Sequence, residues 1–151
     1  MIKILLPTDG SLRALDAVRH AIRLVGSGLR AQFVVANVQS PANLYEMVVA
    51  HDPDVIQKVS DAAGHDLMRP ALKLLHAAGL DAVQEVATGD AAHMLLEILE
   101  NHGCDAVLVS ARGGSESDDM SPGSVAQALL DDCTVPVTLV KPSSSPSDDG
   151  S

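Results

Sequence analysis

Residues 1–6 (MIKILL) form an apolar run broken only by Lys3, the pattern of a strand covered on both faces in the middle of a sheet. Pro7-Thr8-Asp9-Gly10 stops it. From Ser11, a candidate helix cap, Leu15, Val18, Ile22 and Val25 recur at spacings of three and four, with Arg13, Arg19 and Arg23 pointing away. That spacing predicts an amphipathic helix ended by Gly26 and Gly28. Residues 32–38 (QFVVANV) read as a second strand. The loop from Gln39 through Pro41 and Pro53 is long for a compact domain. It carries Leu44, Tyr45, Met47, Val48 and Val49, an apolar cluster that either packs over its own domain or docks a partner. Residues 53–80 have helical spacing, with Pro70 expected to kink the helix or start a new turn and Gly79 to end it. Residues 82–87 predict a third strand, and Gly89-Asp90 a turn and cap for a helix carrying Leu95, Leu96, Ile98 and Leu99, closed by Gly103. Val107, Leu108 and Val109 predict a buried fourth strand. A long loop with Gly113 and Gly114 follows, then a short helix from about Gly123 to Asp132. Residues 135–140 close the pattern as a strand, where Pro136 suits an edge or a strand start.

Strands alternating with helices predict an α/β domain with a five-stranded parallel sheet, and right-handed crossovers put helices on both faces. Ligands of such sheets bind beyond the carboxyl ends of the strands, where the strand order reverses. Pro7-Thr8-Asp9, Asn37-Val38 and residues 110–113 all fall at such ends and are expected on one rim. The glycines after Ser110, and Gly123-Ser124 at a helix start, can present main-chain N–H groups and a hydroxyl to an anion. The same glycines could equally serve only to turn the chain. Neither GxxxxGK(S/T) nor GxGxxG is present, so the better-known phosphate folds gain no support.

Composition narrows the picture further. The chain has 151 residues, is 46% hydrophobic and has Phe33 and Tyr45 as its only aromatics. One domain over residues 1–141 is expected, with a core of Leu, Val, Ile, Ala and Met. Residues 142–151 are Pro, Ser, Asp and Gly and cannot offset the entropy of ordering, so they are expected to be a disordered tail. A formal net charge of −10 without a Lys/Arg run argues against nucleic acid or an anionic membrane as a partner. No apolar stretch approaches the roughly 20 residues of a membrane span, and no signal segment precedes the first strand. A cytoplasmic location is expected. Cys104 and Cys133 lack metal or redox spacing and read as small buried hydrophobes. The six His are scattered without paired ligand spacing.

Several of these features belong together. An opening strand ending in PTDGS, a GD-capped helix, Ser110 followed by Gly113 and then Gly123-Ser124, and a closing VPVTLV strand resemble the universal stress protein family over residues 1–141. The family's pattern after the fourth strand is G-x-x-G, nine residues, then G followed by S or T. Gly113, Gly123 and Ser124 match it, and Ser110 stands where the first glycine would be. The resemblance implies a strand order of 3-2-1-4-5 and a homodimer joined along the fifth strands. It also implies a site for ATP, or for AMP. Asp9 would reach the ribose, while Pro7, Thr8 and Val38 would flank the adenine. Ser110 would head the phosphate loop of Arg112, Gly113, Gly123, Ser124 and Val125.

Two departures bear on that site. A Cβ at Ser110 is expected to obstruct backbone approach to a phosphate or to keep the turn out of a φ > 0 conformation. Glu116, Asp118 and Asp119 put three carboxylates into the loop, where each would repel a polyphosphate by roughly 1 to 3 kcal/mol at about 5 Å. Mg²⁺ bridging Asp118 or Asp119 to the phosphates would reverse that sign. Three functions stand open. One is a stress-response protein that senses or stores ATP without fast turnover, since the rim shows no general base, catalytic Lys or nucleophile-base pair. The second is an interaction module of the same fold with an empty pocket. The third is a phospho-receiver, suggested by Asp9 and Lys141, although Thr88-Gly89 stand where its phosphorylated Asp would be.

Overall fold

The computed structural model describes residues 1–40, 53–111 and 123–142. Five strands, β1 (Ile2–Pro7), β2 (Ala31–Gln39), β3 (Ala82–Thr88), β4 (Ala106–Ser110) and β5 (Val137–Val140), alternate with helices in these segments. The helices are α1 (Leu15–Gly26), α2 (Pro53–Ala77), α3 (Ala91–His102) and α4 (Ser124–Asp132). Every strand pairing is parallel and the order is β3-β2-β1-β4-β5, as the sequence led us to expect. Arg112, Gly113 and Gly114, the carboxylates Glu116, Asp118 and Asp119, the apolar cluster of residues 44–49 and the tail beyond Pro142 lie outside the described residues.

The two-residue period of the strands sorts the core into two layers. Ile4, Leu6, Phe33 and Val35 pack with Val18 of α1 and Met68 and Leu75 of α2. Leu5, Val34 and Ala36 pack with Leu95 and Leu99 of α3 and Leu129 of α4. Helices therefore cover both faces, and an apolar run without alternation is what a strand covered on both faces requires. Lys3, the polar exception in β1, donates from Nζ to the His102 carbonyl at 2.9 Å. A cation at the carboxyl end of α3 also meets the negative pole of the helix dipole.

The element ends follow local chemistry, with one difference from the sequence reading. Asp90 caps α3 by accepting the His93 N–H at 3.0 Å, and Gly103 ends that helix in the left-handed conformation at φ 63°. Ser11 does not cap α1. Its hydroxyl accepts the Ala14 N–H at 3.2 Å and closes a turn ahead of the helix, which starts at Leu15 with no side-chain cap on Ala14. Helix α2 runs as one helix through Pro70 and ends at Ala77, close to the expected Gly79. Pro70 and Asp66 are exposed while Met68 and Ala71 are buried. The carbonyl deprived of its donor thus lies on the water side, and packing of the other side outweighs the roughly 3 kcal/mol cost of an interior proline.

Helix α2 also approaches the sheet closely enough to demand glycine at two points. A Cβ on Gly64 would lie 2.5 Å from Val86 Cγ1 on β3, and one on Gly10, at φ +84°, would overlap Leu67. Pro136 precedes β5, the edge strand, and its carbonyl accepts the Val107 N–H at 3.0 Å. Cys104 is buried and Cys133 half-buried, both as free thiols. Among the described residues no helix is long and apolar enough to cross a membrane.

Candidate functional site

The strand order reverses between β1 and β4, since β2 lies on one side of β1 and β4 on the other. An open cleft of about 280 Å³ lies at the carboxyl ends of these strands. Pro7, Thr8 and Asp9 follow β1 into it, Val38 comes from β2, Ser110 from β4, and Gly123, Ser124 and Val125 from the start of α4. Eight positions singled out in the sequence are thus brought around one space. Ala14, Ala36, Ala91 and Ala126, which went unnoticed, and Leu95 and Val109, which read only as core, complete the lining. For the four alanines the signal was small size at strand ends and helix starts, where a missing side chain leaves room.

Hydrogen bonds hold the rim. The Thr8 N–H donates to the Ala36 carbonyl at 2.9 Å, and Thr8 Oγ1 accepts the Gly10 N–H at 3.2 Å. Asp9 is exposed, and its Oδ1 accepts the Ser11 N–H at 2.9 Å. On the other wall the Ala111 N–H donates to Val140 O at 2.8 Å and the Gly123 N–H to Ala111 O at 2.9 Å. Those two bonds dock the start of α4 onto the ends of β4 and β5. Asp9 is the one ionisable side chain among the described lining residues, so the cleft is apolar with a polar mouth.

Three helices open toward this rim, and their first-turn N–H groups are treated differently. In α1 the Leu15 and Asp16 N–H groups reach Leu12 O and Arg13 O, and the Ala17 N–H reaches Ser110 Oγ at 3.2 Å. In α3 the Asp90 carboxylate occupies the position an anion would take. In α4 the N-cap is Gly123, which has no side chain to offer, so the first-turn N–H groups of Ser124, Val125 and Ala126 have no acceptor among the described residues. A helix start of this kind offers main-chain N–H groups and the positive end of its dipole to the cleft. Ser110 keeps a negative φ, and its hydroxyl is committed to α1.

A doubly covered parallel sheet with an apolar crevice at its switch point, beside a helix start that Gly123 leaves without a side-chain cap, defines a doubly wound α/β protein. A sequence model of the universal stress protein family matches residues 1–141, and the chain belongs to that family. A universal stress protein of Methanocaldococcus jannaschii is 24% identical over 139 residues, 92% of this chain and 81% of the relative. Among solved structures, universal stress protein UspA from Lactobacillus plantarum superposes with a TM-score of 0.70 at 22% identity, over 92% of this chain and 97% of its own. A universal stress protein family protein from Arabidopsis thaliana, solved with AMP bound, gives 0.67 at 15% identity, over 99% of both chains. At these identities the structures establish the shared fold.

Proposed function

We propose that this protein binds an adenine nucleotide, ATP or AMP, in the switch-point cleft and holds it without fast turnover. The observation that carries the proposal is the start of α4 on the cleft wall, which has no side-chain cap from Gly123, beside an apolar space of about 280 Å³. Phosphates meet the Ser124, Val125 and Ala126 N–H groups and the Ser124 hydroxyl. The purine packs on Pro7, Thr8 and Val38, and the ribose lies toward Asp9. The AMP carried by the Arabidopsis relative supports this ligand class. Storage or sensing fits better than catalysis, because Asp9 is the one described lining side chain able to move a proton and its Oδ1 already holds the Ser11 N–H.

Asp118 or Asp119 would hold Mg²⁺ against the phosphates of ATP, and two copies of the chain join along β5, the edge of the sheet. The chain has no Trp and one Tyr, so a nucleotide retained through desalting is read directly at 260 nm. Titration calorimetry with ATP and AMP, with and without Mg²⁺, gives the affinities. No binding of either at millimolar concentration would leave only the empty-pocket interaction module. Unchanged Mg²⁺ dependence after Asp118→Asn with Asp119→Asn removes the metal role, and a monomer in sedimentation equilibrium removes the dimer.

A further inference from the structure

Asn37 is 2% exposed near the end of β2, between Ala36 and Val38, a place where a polar side chain costs free energy unless its hydrogen bonds are made. They are made along the rim of the cleft. Its Nδ2 donates to the Thr8 carbonyl at 2.9 Å, and its Oδ1 accepts from Gln39 Nε2. The Gln39 carbonyl in turn accepts the Gly89 N–H at 3.0 Å. Gly89 opens the turn that delivers Ala91 and Leu95 to the opposite wall. A continuous relay therefore runs from the β1 end through the β2 end to the turn before α3, with Asn37 at its centre.

The bond to Thr8 has a directional effect. Among the described residues every peptide is trans, so C=O and N–H of the Thr8–Asp9 peptide point in opposite directions. Holding the Thr8 carbonyl toward β2 turns the Asp9 N–H toward β4, on the far side of the crevice. The backbone that forms the Pro7-Thr8-Asp9 wall is set before any ligand arrives, and pre-set walls bind more tightly because less ordering is left to do.

We infer that Asn37 is a positioning residue for the nucleoside half of the ligand: it touches no ligand, and its bond to Thr8 orients the wall on which a purine nucleoside rests. The inference rests on the nucleotide reading above. It predicts that loss of the bond weakens adenosine, AMP and ATP by one common factor, because the phosphates are held elsewhere, at α4.

The test is calorimetric titration of the three ligands into the full chain and into Asn37→Leu and Asn37→Asp, with circular dichroism and thermal melts alongside. Asn37→Leu keeps the volume without the bonds, and Asn37→Asp puts an acceptor against the Thr8 carbonyl. The expected result is a loss of about ten-fold for all three ligands, with the ATP-to-adenosine affinity ratio of the unaltered chain retained. Unchanged affinities, or a loss confined to the phosphate-bearing ligands, overturn the inference while leaving the nucleotide reading intact. Absence of binding in the unaltered chain overturns both. Should both Asn37 variants fail to fold, Gln39→Ala cuts the relay from its half-exposed side; a common drop of about three-fold supports the inference, and no drop overturns it.

Discussion

Ser110 at the end of β4 accepts, through its hydroxyl, the first-turn N–H of Ala17 in α1 at 3.2 Å, across 93 residues of chain. A side chain in the fourth strand thus does for α1 what neither Ser11 nor Ala14 does. Replacing Ser110 by Ala should cost about 1 kcal/mol, the value of a lost cap, read as a lower midpoint in urea unfolding with the slope unchanged. A loss below about 0.3 kcal/mol would show that water replaces the hydroxyl there.

Ser124→Pro isolates the proposed phosphate contact. Ser124 is the first residue of α4 after the Gly123 cap, and Gly123 sits at φ −62° and ψ 164°, a conformation that proline accepts in the residue before it. Proline is well tolerated at the first helical position, so stability should change by less than about 0.5 kcal/mol. ATP affinity should fall about ten-fold, because a main-chain donor and a hydroxyl are removed together. Adenosine affinity should hold. Calorimetry on both ligands decides it, and an equal loss for adenosine would place the phosphates elsewhere.

Gly64→Ala sets helix propensity against packing. In an open helix interior the change would stabilise by about 1 kcal/mol, but here the new methyl would lie 2.5 Å from Val86 Cγ1 and 2.6 Å from its Cγ2. Val is stiff at χ1, so overlap should win, with a net loss of about 1–3 kcal/mol. Chemical denaturation of Gly64→Ala, alone and with Val86→Ala, should show the second change recovering much of the loss of the first.

Burial pushes the Asp16 carboxyl above its ordinary 3.8, outweighing the opposing pull of Arg19 and Arg13. A carboxyl raised in the folded state holds its proton more tightly there than when unfolded. The folded state therefore carries a penalty above the folded pKa, and this group's contribution improves as pH falls through that value to below 3.8. Asp16→Asn should accordingly be more stable than the unaltered chain at pH 7, with the difference shrinking in acid. Urea midpoints between pH 7 and pH 3.5 test the sign, and a variant less stable at pH 7 would show that the Arg19 contact dominates.

Much of this architecture was legible from periodicity. Residues 1–6 read as an interior strand because both faces are apolar, and Asp90 and Gly103 read as helix ends because their chemistry is local. The rim was legible from the rule that parallel sheets bind beyond their carboxyl ends, which led from Asp9, Val38 and Ser110 to one rim before any distance was known. Ser110 and Asn37 were not legible in the same way. Both were placed on the rim, yet their partners, Ala17 and Thr8, are 93 and 29 residues away, and no local pattern encodes such a bond. The start of α1 was misplaced for the same reason, since its cap comes from another strand.

The sequence by itself therefore determined which segments are strands and helices, which faces they bury and which strand ends carry polar residues, because these follow from side-chain period and turn chemistry along the chain. Only the tertiary structure decided which helix starts find an acceptor for their first N–H groups among the described residues. That depends on acceptors brought by distant strands, Ser110 for α1 and none among the described residues for α4, and proximity in space is set by the packed sheet.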